Sequence, residues 1–414
     1  MEKWMIDLIC DAVDRRRDLI VETVRKLVRV PSLSGQEGEV AELIREEMKA
    51  GGYGSVTVDG VGNVYGMIGA FEGGRTLLYN GHMDHVPPSQ MEDPYSAAIM
   101  DGSSFDVAGR VIFGRAASDM KGPLGAMLVA GEILEDVGVN LTGRLIVSGT
   151  VLEEVGGGIG PRALLEKDEI KPDAALVGEV TNLKVAHGHR GVIRANLITY
   201  GKSAHISVQE RGVNALYKMA KVILDIEKAN KDLPKHPVLG KSSWGVAKIE
   251  LEPNVANVVP ARCSVVVDVR NTPNFTQEGI IDGLQVILNG LAEKDPDFKG
   301  EVSVAEGELA CWTGHKEKAM FYVEPFYVAP DNWLVEMTRR SVRDVTGREP
   351  GLSIWNFGTE SWIFDRAGIP TVGFAPGEER FTHSSDEVIS IEDLVAATKV
   401  YALLAATMCE VDEA

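Results

Sequence analysis

The chain has only four cysteines in 414 residues, Cys10, Cys263, Cys311 and Cys409, and they are far apart. That excludes a zinc–thiolate site built on paired cysteines and a disulfide framework, and leaves four reduced core residues. No apolar run approaches the ~20 residues needed to span a bilayer. The opening "MEKWMIDLICDAVDRRRDLI" is broken by charge too often for the apolar core of a signal peptide. No membrane partner and a cytoplasmic location are therefore expected. Positive charge is also short: 42 Lys and Arg stand against 61 Asp and Glu, a formal charge of -19. Such a surface repels phosphate backbones, so no nucleic-acid partner is expected. Two phosphate-binding patterns fail on inspection. "YGKS" has Asn196 where a phosphate loop needs its first glycine, and "GGGIGP" never completes a G-x-G-x-x-G. The G-x-S-x-G elbow of a serine hydrolase and the H-E-x-x-H helix of a zincin are both missing.

What the chain does have is apolar content, 44% of 414 residues, more than one core usually holds. Ile20, Val24, Leu27 and Val28 recur at helical spacing up to Pro31. A second helix follows, with Val40, Leu43, Ile44 and Met48 on one face, Ser34 and Glu37 at capping-box spacing, and Gly51-Gly52 as its stop. Strand-like and helical runs then alternate through "TLLYNG", "KGPLGAMLVAGEILEDVG", "RLIVSGTVL", "GPRALLE" and "DAALVGE", the pattern of an α/β sheet flanked by helices. The middle differs. "GVIRANLITYGKSAHIS" and "ARCSVVVDVR" read as strands, "GVNALYKMAKVILDIEKA" and "EGIIDGLQVILNGLAE" as helices, which suggests a small α+β unit inserted into the larger domain. A helix over about 332–346, a strand at "IPTVGFAPG" and a last helix at "IEDLVAATKVYALLAATM" return the chain to the larger domain.

The chemistry-bearing residues collect at predicted strand ends. In "LLYNGHMDHVPPS", His82 and Asp84 share a face of one strand, so both can point into the crevice beyond it. A carboxylate in that position can orient a metal-bound imidazole; a capping His and a turn Asp explain the pair equally well. Asp119 in "GRAASDMKG" precedes a buried helix and reads by itself as an N-cap. Glu153 and Glu154 follow an apolar strand, where adjacent carboxylates are costly without cations. Glu179 ends "DAALVGE", and His383 follows a glycine-rich turn. His82, Asp119, Glu154, Glu179 and His383 thus form a candidate set of imidazole and carboxylate ligands, suited to Zn²⁺, Co²⁺ or Mn²⁺ in a catalytic site. Two divalent ions would balance three ligand carboxylates and a hydroxide, leaving Glu153 over as a base.

Taken in order and spacing, "GHMDHVP", "GRAASDMKG", "LEEVGGG", "GE", "GKSAHIS" and "THSSDE" resemble the M20 metallopeptidases, in particular the acetylornithine deacetylase and succinyl-diaminopimelate desuccinylase branch. "GIPTVGFAPGEERFTHSSDE" and "ERGVNALYKMA" are also similar to M20 hydrolases linked by context to selenium metabolism. The resemblance implies a zinc-exopeptidase-like catalytic domain over 1–186 and 313–414, a mixed sheet flanked by helices, with an inserted lid and dimerisation domain over 187–312. It implies that His82, Asp119 and Glu179 hold one zinc, and that Asp119, Glu154 and His383 hold the other. Asp84 would orient His82 and Glu153 would be the general base. His205 of the "SAH" motif would reach the active site of the opposite subunit in a homodimer, while Asn257 and Arg270 would line the substrate pocket with the loop around Gly358 and Thr359. The chain departs from the usual family "GRG" at Gly114-Arg115-Ala116, and His85 is extra to the pattern. His85, His187 and His189 read as structural.

The implied reaction is hydrolysis of the amide of a small N-acyl amino acid. Glu153 would move a proton from water to the leaving amine, His205 would stabilise the oxyanion, and Arg270 would grip a substrate carboxylate. An exopeptidase acting on dipeptides is the alternative within the same chemistry. A non-catalytic metal-binding protein on the same scaffold is the alternative outside it, and it predicts loss of a ligand or of the base.

Overall fold

The computed structural model describes residues 1–70, 74–139, 141–167 and 170–409. Among these residues a nine-stranded mixed sheet forms the frame. Its order is Gly54–Val58, Val64–Gly69, Arg144–Thr150, Thr76–His82, Ala174–Val177, Thr371–Gly373, Val185–His189 and Phe326–Tyr327, with Leu352–Trp355 also paired to Val185–His189. Every residue of Thr76–His82 is buried because both sheet faces are covered. Leu77 and Tyr79 face the larger core, which holds the helices Gly122–Asp136 and Ile391–Met408. Leu78 faces the opposite core, with Ile146, Leu164 and Phe364. A strand covered on both faces reads as a continuous apolar run, as this one does.

The capping box expected at Ser34 and Glu37 does not form. The helix Gly38–Ala50 starts without a side-chain cap, and both residues turn toward the sheet. Ser34 Oγ donates to Asp84 Oδ2 at 2.6 Å, and Glu37 Oε1 accepts from the amides of Gly35 and Leu152. Tertiary hydrogen bonds in the interior outweigh the local cap. The four cysteines are free; three are buried and Cys10 is half-buried. No helix among the described residues is long and apolar enough to cross a membrane.

The smaller unit is an antiparallel sheet in the order Ser243–Glu252, Arg262–Asn271, Gly191–Tyr200 and Lys299–Val304, with Tyr322–Val323 also paired to Gly191–Tyr200. The helices Ala215–Ala229 and Gln277–Ala292 cover one face, so Ile193, Ala195, Leu197, Val265, Val267 and Val269 turn inward. Alternation then sends Val192, Arg194 and Arg270 to the other face. Its first strand opens at Gly191, not at 187, because His187 and His189 belong to the strand Val185–His189 of the large sheet. The chain returns through a hairpin, Glu306–Ala310 and Lys316–Met320. At its tip Trp312 Nε1 donates to the Gly62 carbonyl at 3.2 Å. Gly62 has φ +105°, and a Cβ there would lie 2.1 Å from the indole nitrogen, so only glycine admits this close approach.

Candidate metal centre and its cleft

Three neighbouring parallel strands end side by side. Thr76–His82 lies between Arg144–Thr150 and Ala174–Val177, parallel to both. Their carboxyl ends therefore deliver His82, then Glu153 and Glu154, then Glu179 to one place, the usual location of a site in an α/β sheet. Asp119 arrives from the turn before the helix Gly122–Asp136, and His383 from the loop ahead of Val388–Ser390. Asp119 stands between the two imidazoles: its Oδ1 is 3.1 Å from His82 Nε2 and its Oδ2 is 3.2 Å from His383 Nε2. Glu179 Oε1 is 3.3 Å from His82 Nε2, and Glu154 Oε2 is 3.1 Å from His383 Nε2. The five residues nominated as ligands thus meet, and Glu153 lies beside them, with one of its carboxylate oxygens within 4.8 Å of ligand atoms of His82 and Glu179.

The electrostatics of this cluster call for added positive charge. Burial, reinforced by neighbouring carboxylates, pushes Glu179 up to about 7 and raises Glu153 and Glu154 above the usual range. The Asp119 and Glu154 hydrogen bonds carry His383 up to about 10. Burial alone would lower His82, yet Asp119, Asp84 and Glu179 together raise it. Raised glutamates and raised imidazoles mark a shortage of positive charge that cations would fill, while Asp119, bonded by both imidazoles, is lowered. Oxygen and imidazole donors without thiolate fit divalent zinc, cobalt or manganese, and the single carboxylate between two imidazoles fits a pair of ions.

Several supports differ from the sequence expectation. The His82 ring is held at Nδ1 by the backbone carbonyl of Asp84 at 2.9 Å, and the Asp84 carboxylate is farther, at 3.6 Å. That carboxylate instead accepts from the amides of Glu153 and Glu154, at 3.0 and 3.2 Å, and so fixes the turn that presents both glutamates. Asp119 is anchored by a residue to which no role was given: Glu387 Oε1 accepts the amides of Ser118 and Asp119, each at 3.0 Å, while Oε2 pairs with the buried Arg115. Glu387 closes the "THSSDE" motif, which was the available signal. Glu360 is a second such residue, buried and accepting from Asn80 and Thr150 at 2.6 and 2.7 Å. Ala116, which replaces the usual family glycine, has φ +68°. His85 accepts the Ser32 amide at Nε2 and donates from Nδ1 to the Val86 carbonyl, a neutral structural histidine.

The centre opens into a cleft of about 280 Å³ between the two sheets. Asp119, Glu153, Glu154, Glu179 and His383 form its floor, Arg194, Arg270 and Phe321 stand on the far wall, and Phe357, packed on the large core, also lines it. Arg270 is where the sequence placed it, and Gly358 also lines the cleft. Arg194 was missed, although its outward register in an alternating strand was the clue. His205 and Asn257 do not line the cleft of their own chain. Both are exposed, His205 bonding Ser207 Oγ at 2.7 Å and the Asn257 carbonyl accepting the Ile206 amide at 3.0 Å.

Residues 78–407 match the family model described as peptidase family M20/M25/M40. The chain belongs to this family. Membership makes it a metal-dependent hydrolase of the M20 type, with the mixed α/β architecture of that group. The uncharacterised protein YgeY of Escherichia coli (strain K12) is 30% identical over 386 residues, 92% of each chain. Succinyl-diaminopimelate desuccinylase 2 of Ruegeria sp. (strain TM1040) is 25% identical over 397 residues, covering 92% of this chain and 93% of its own. The crystal structure of aminopeptidase PepT from Bacillus cereus ATCC 10987 matches with a TM-score of 0.73 at 21% identity, covering 95% of this M20 chain and 99% of that one, a likeness of fold.

Proposed function

We propose that this M20 protein hydrolyses the amide bond of a small N-acyl amino acid, as a deacetylase or desuccinylase does, with two zinc ions as its cofactors. The observation that carries this reading is Asp119 standing between the His82 and His383 imidazoles, flanked by Glu179 and Glu154. In this reading His82, Asp119 and Glu179 hold one ion, and Asp119, Glu154 and His383 the other. When bound, such a pair supplies Lewis acidity that polarises a carbonyl and acidifies water. Glu153, raised by burial and held at its amide by Asp84, takes a proton from the attacking water on a carboxylate oxygen and returns it to the leaving nitrogen. The arginines on the opposite wall, Arg194 and Arg270, give the carboxylate end of the substrate a cationic surface to face.

The inserted unit acts in this proposal as a lid and as the surface of a homodimer, His205 and Asn257 serving the opposite subunit. Its edge strand Ser243–Glu252 with exposed Val246 and Ile249, and the exposed Tyr217 and Leu224 on the neighbouring helix, support such an interface. Free cysteines suit a cytoplasmic location. The similarity to the Ruegeria desuccinylase, which extends over 92% of the chain, favours an acyl substrate over a dipeptide. The experiment is metal analysis joined to a panel of N-acetyl, N-succinyl and N-carbamoyl amino acids and dipeptides. Two ions per chain and a chelator-reversible activity on the acyl compounds are expected. Activity confined to dipeptides would favour the exopeptidase, and activity indifferent to chelation would sink the metal reading.

A further inference from the structure

Two guanidiniums face the cleft from the small sheet, and only one has its charge met. Arg270 donates from Nε to Asp268 Oδ1 at 2.8 Å, with a longer contact of 3.5 Å to Oδ2. Asp268 lies directly across the sheet from Arg194, where opposite charges ordinarily pair. It pairs instead with Arg270, two places along its own strand. Arg194 turns over the Phe321 ring, 5.4 Å from the ring centroid, and has no carboxylate partner among the described residues. The Phe321 carbonyl accepts the Arg194 amide at 3.2 Å, so ring and guanidinium are held side by side by the backbone. Ile193 and Ala195 occupy the core on the other face, which keeps Arg194 on the cleft wall.

We propose that Arg194, and not Arg270, is the anion anchor that sets the specificity of this cleft for substrates with a free carboxylate. The inference rests on the amide-hydrolase reading for what happens at the other end of the cleft. A substrate carboxylate is drawn to the Arg194 guanidinium on the wall, which has no carboxylate partner among the described residues, so the scissile amide is turned toward Glu153 on the floor. The planar guanidinium offers a two-toothed fork, and stacking on Phe321 fixes its plane before the ligand arrives. Arg270, its Nε already given to Asp268, contributes shape and one free edge. A cleft of about 280 Å³ lies just below the ~300 Å³ lower end of cavities for drug-sized ligands. An acid of single amino-acid or dipeptide size fits within that volume.

The test compares N-acetyl-L-alanine and L-alanyl-L-alanine with their C-terminal amides, as ligands of the metal-loaded protein by calorimetry and as substrates by steady-state kinetics. Wild type, Arg194→Gln, Arg194→Lys and Arg270→Gln are measured side by side. Wild type is expected to prefer acid over amide by roughly 10- to 100-fold. Arg194→Gln should remove most of that preference, chiefly through KM. Arg194→Lys, which keeps the charge without the fork, should retain part of it, and Arg270→Gln should lower it less than Arg194→Gln does. An undiminished preference in Arg194→Gln, or a larger fall in Arg270→Gln, overturns the proposal. Arg194-dependent binding of the acids without any turnover sinks the hydrolase reading and leaves the anchor standing. Turnover with equal affinity for acid and amide does the reverse, and failure to bind or turn over either overturns both.

Discussion

Glu387→Gln tests whether the metal centre is held up by a buried ion pair beneath it. Arg115 and Glu387 are 1% and 0% exposed, and the Arg115 Nε has no partner of its own. The substitution keeps the shape of the side chain but removes its charge. An amide oxygen can still accept the Ser118 and Asp119 amides, which places the amide nitrogen against the Arg115 guanidinium, donor against donor. Stranding a buried charge in this way costs about 3–5 kcal/mol. At about 2 °C per kcal/mol for a unit of this size, the thermal midpoint should fall by roughly 6–10 °C. Arg115→Met strands the glutamate and should cost a similar amount. The double variant Arg115→Met/Glu387→Gln leaves no unpaired charge, so its loss should be smaller than the sum by about 2 kcal/mol or more. Calorimetric melting of the four metal-free proteins reads this coupling, and zinc titration of Glu387→Gln should show affinity weakened about 10- to 100-fold, since the charged acceptor beneath Asp119 becomes a neutral one pushed by Arg115. A midpoint within a degree or two of wild type, or strictly additive losses, would refute the reasoning.

In the proposed roles Glu153 carries the proton and is not a ligand, so Glu153→Ala should abolish turnover while leaving metal content nearly intact; activity together with full metal occupancy contradicts that role. His189 is buried, which lowers its imidazole to about 4, and it stays neutral with Nδ1 on the Arg190 carbonyl. The unfolded chain takes up this proton near pH 6.5, so the contribution of His189 to stability is complete above 6.5 and is lost as pH falls toward 4. His189→Gln should flatten the acid limb of a urea-midpoint profile by up to about 1.4 kcal/mol per pH unit within that window, and parallel limbs would remove the argument. Gly62→Ala drives a Cβ into Trp312 at a positive φ and should cost about 2 kcal/mol or more. In a Trp312→Ala background the same change should cost distinctly less, measured as the difference between melting midpoints.

The five candidate ligands were legible as a set, three of them at or just past the ends of buried strands and Asp119 and His383 in loops that only the order of motifs singled out. Buried strands such as Thr76–His82 and Arg144–Thr150 read as apolar runs, and the residue types that such an environment tolerates least stand at their ends. The helices Trp333–Thr346 and Ile391–Met408 were equally visible from their periodicity and stops. Ser243–Glu252 was not, since most of its residues are exposed and an edge strand wet on both faces shows no alternation. Ser34 and Glu37 misled for a related reason: their spacing matched a helix cap, but spacing along the chain says nothing of an Asp84 and a Leu152 amide waiting in the interior.

The supports of the site were hidden by sequence distance and by charge. Arg115 and Glu387 are 272 positions apart, and each by itself looks like a solvated charge, one beside Gly114 and the other beside Asp386. Only the fold, by carrying Val388–Ser390 alongside Arg110–Phe113, brings them together under Asp119. Sequence alone nominated Arg270 through the family resemblance and passed over Arg194, although both stand at outward positions of alternating strands. What separates them is the side on which Asp268 closes its ion pair, a choice made by side-chain geometry across the Arg194–Asp268 register and not by any pattern along the chain. The candidate ligands His82, Glu154 and Glu179 stand at or just past strand ends and so can be read from strand boundaries. The group that discriminates substrates depends on which of two equivalent charges is left unpaired, and that is decided only once the sheet has formed.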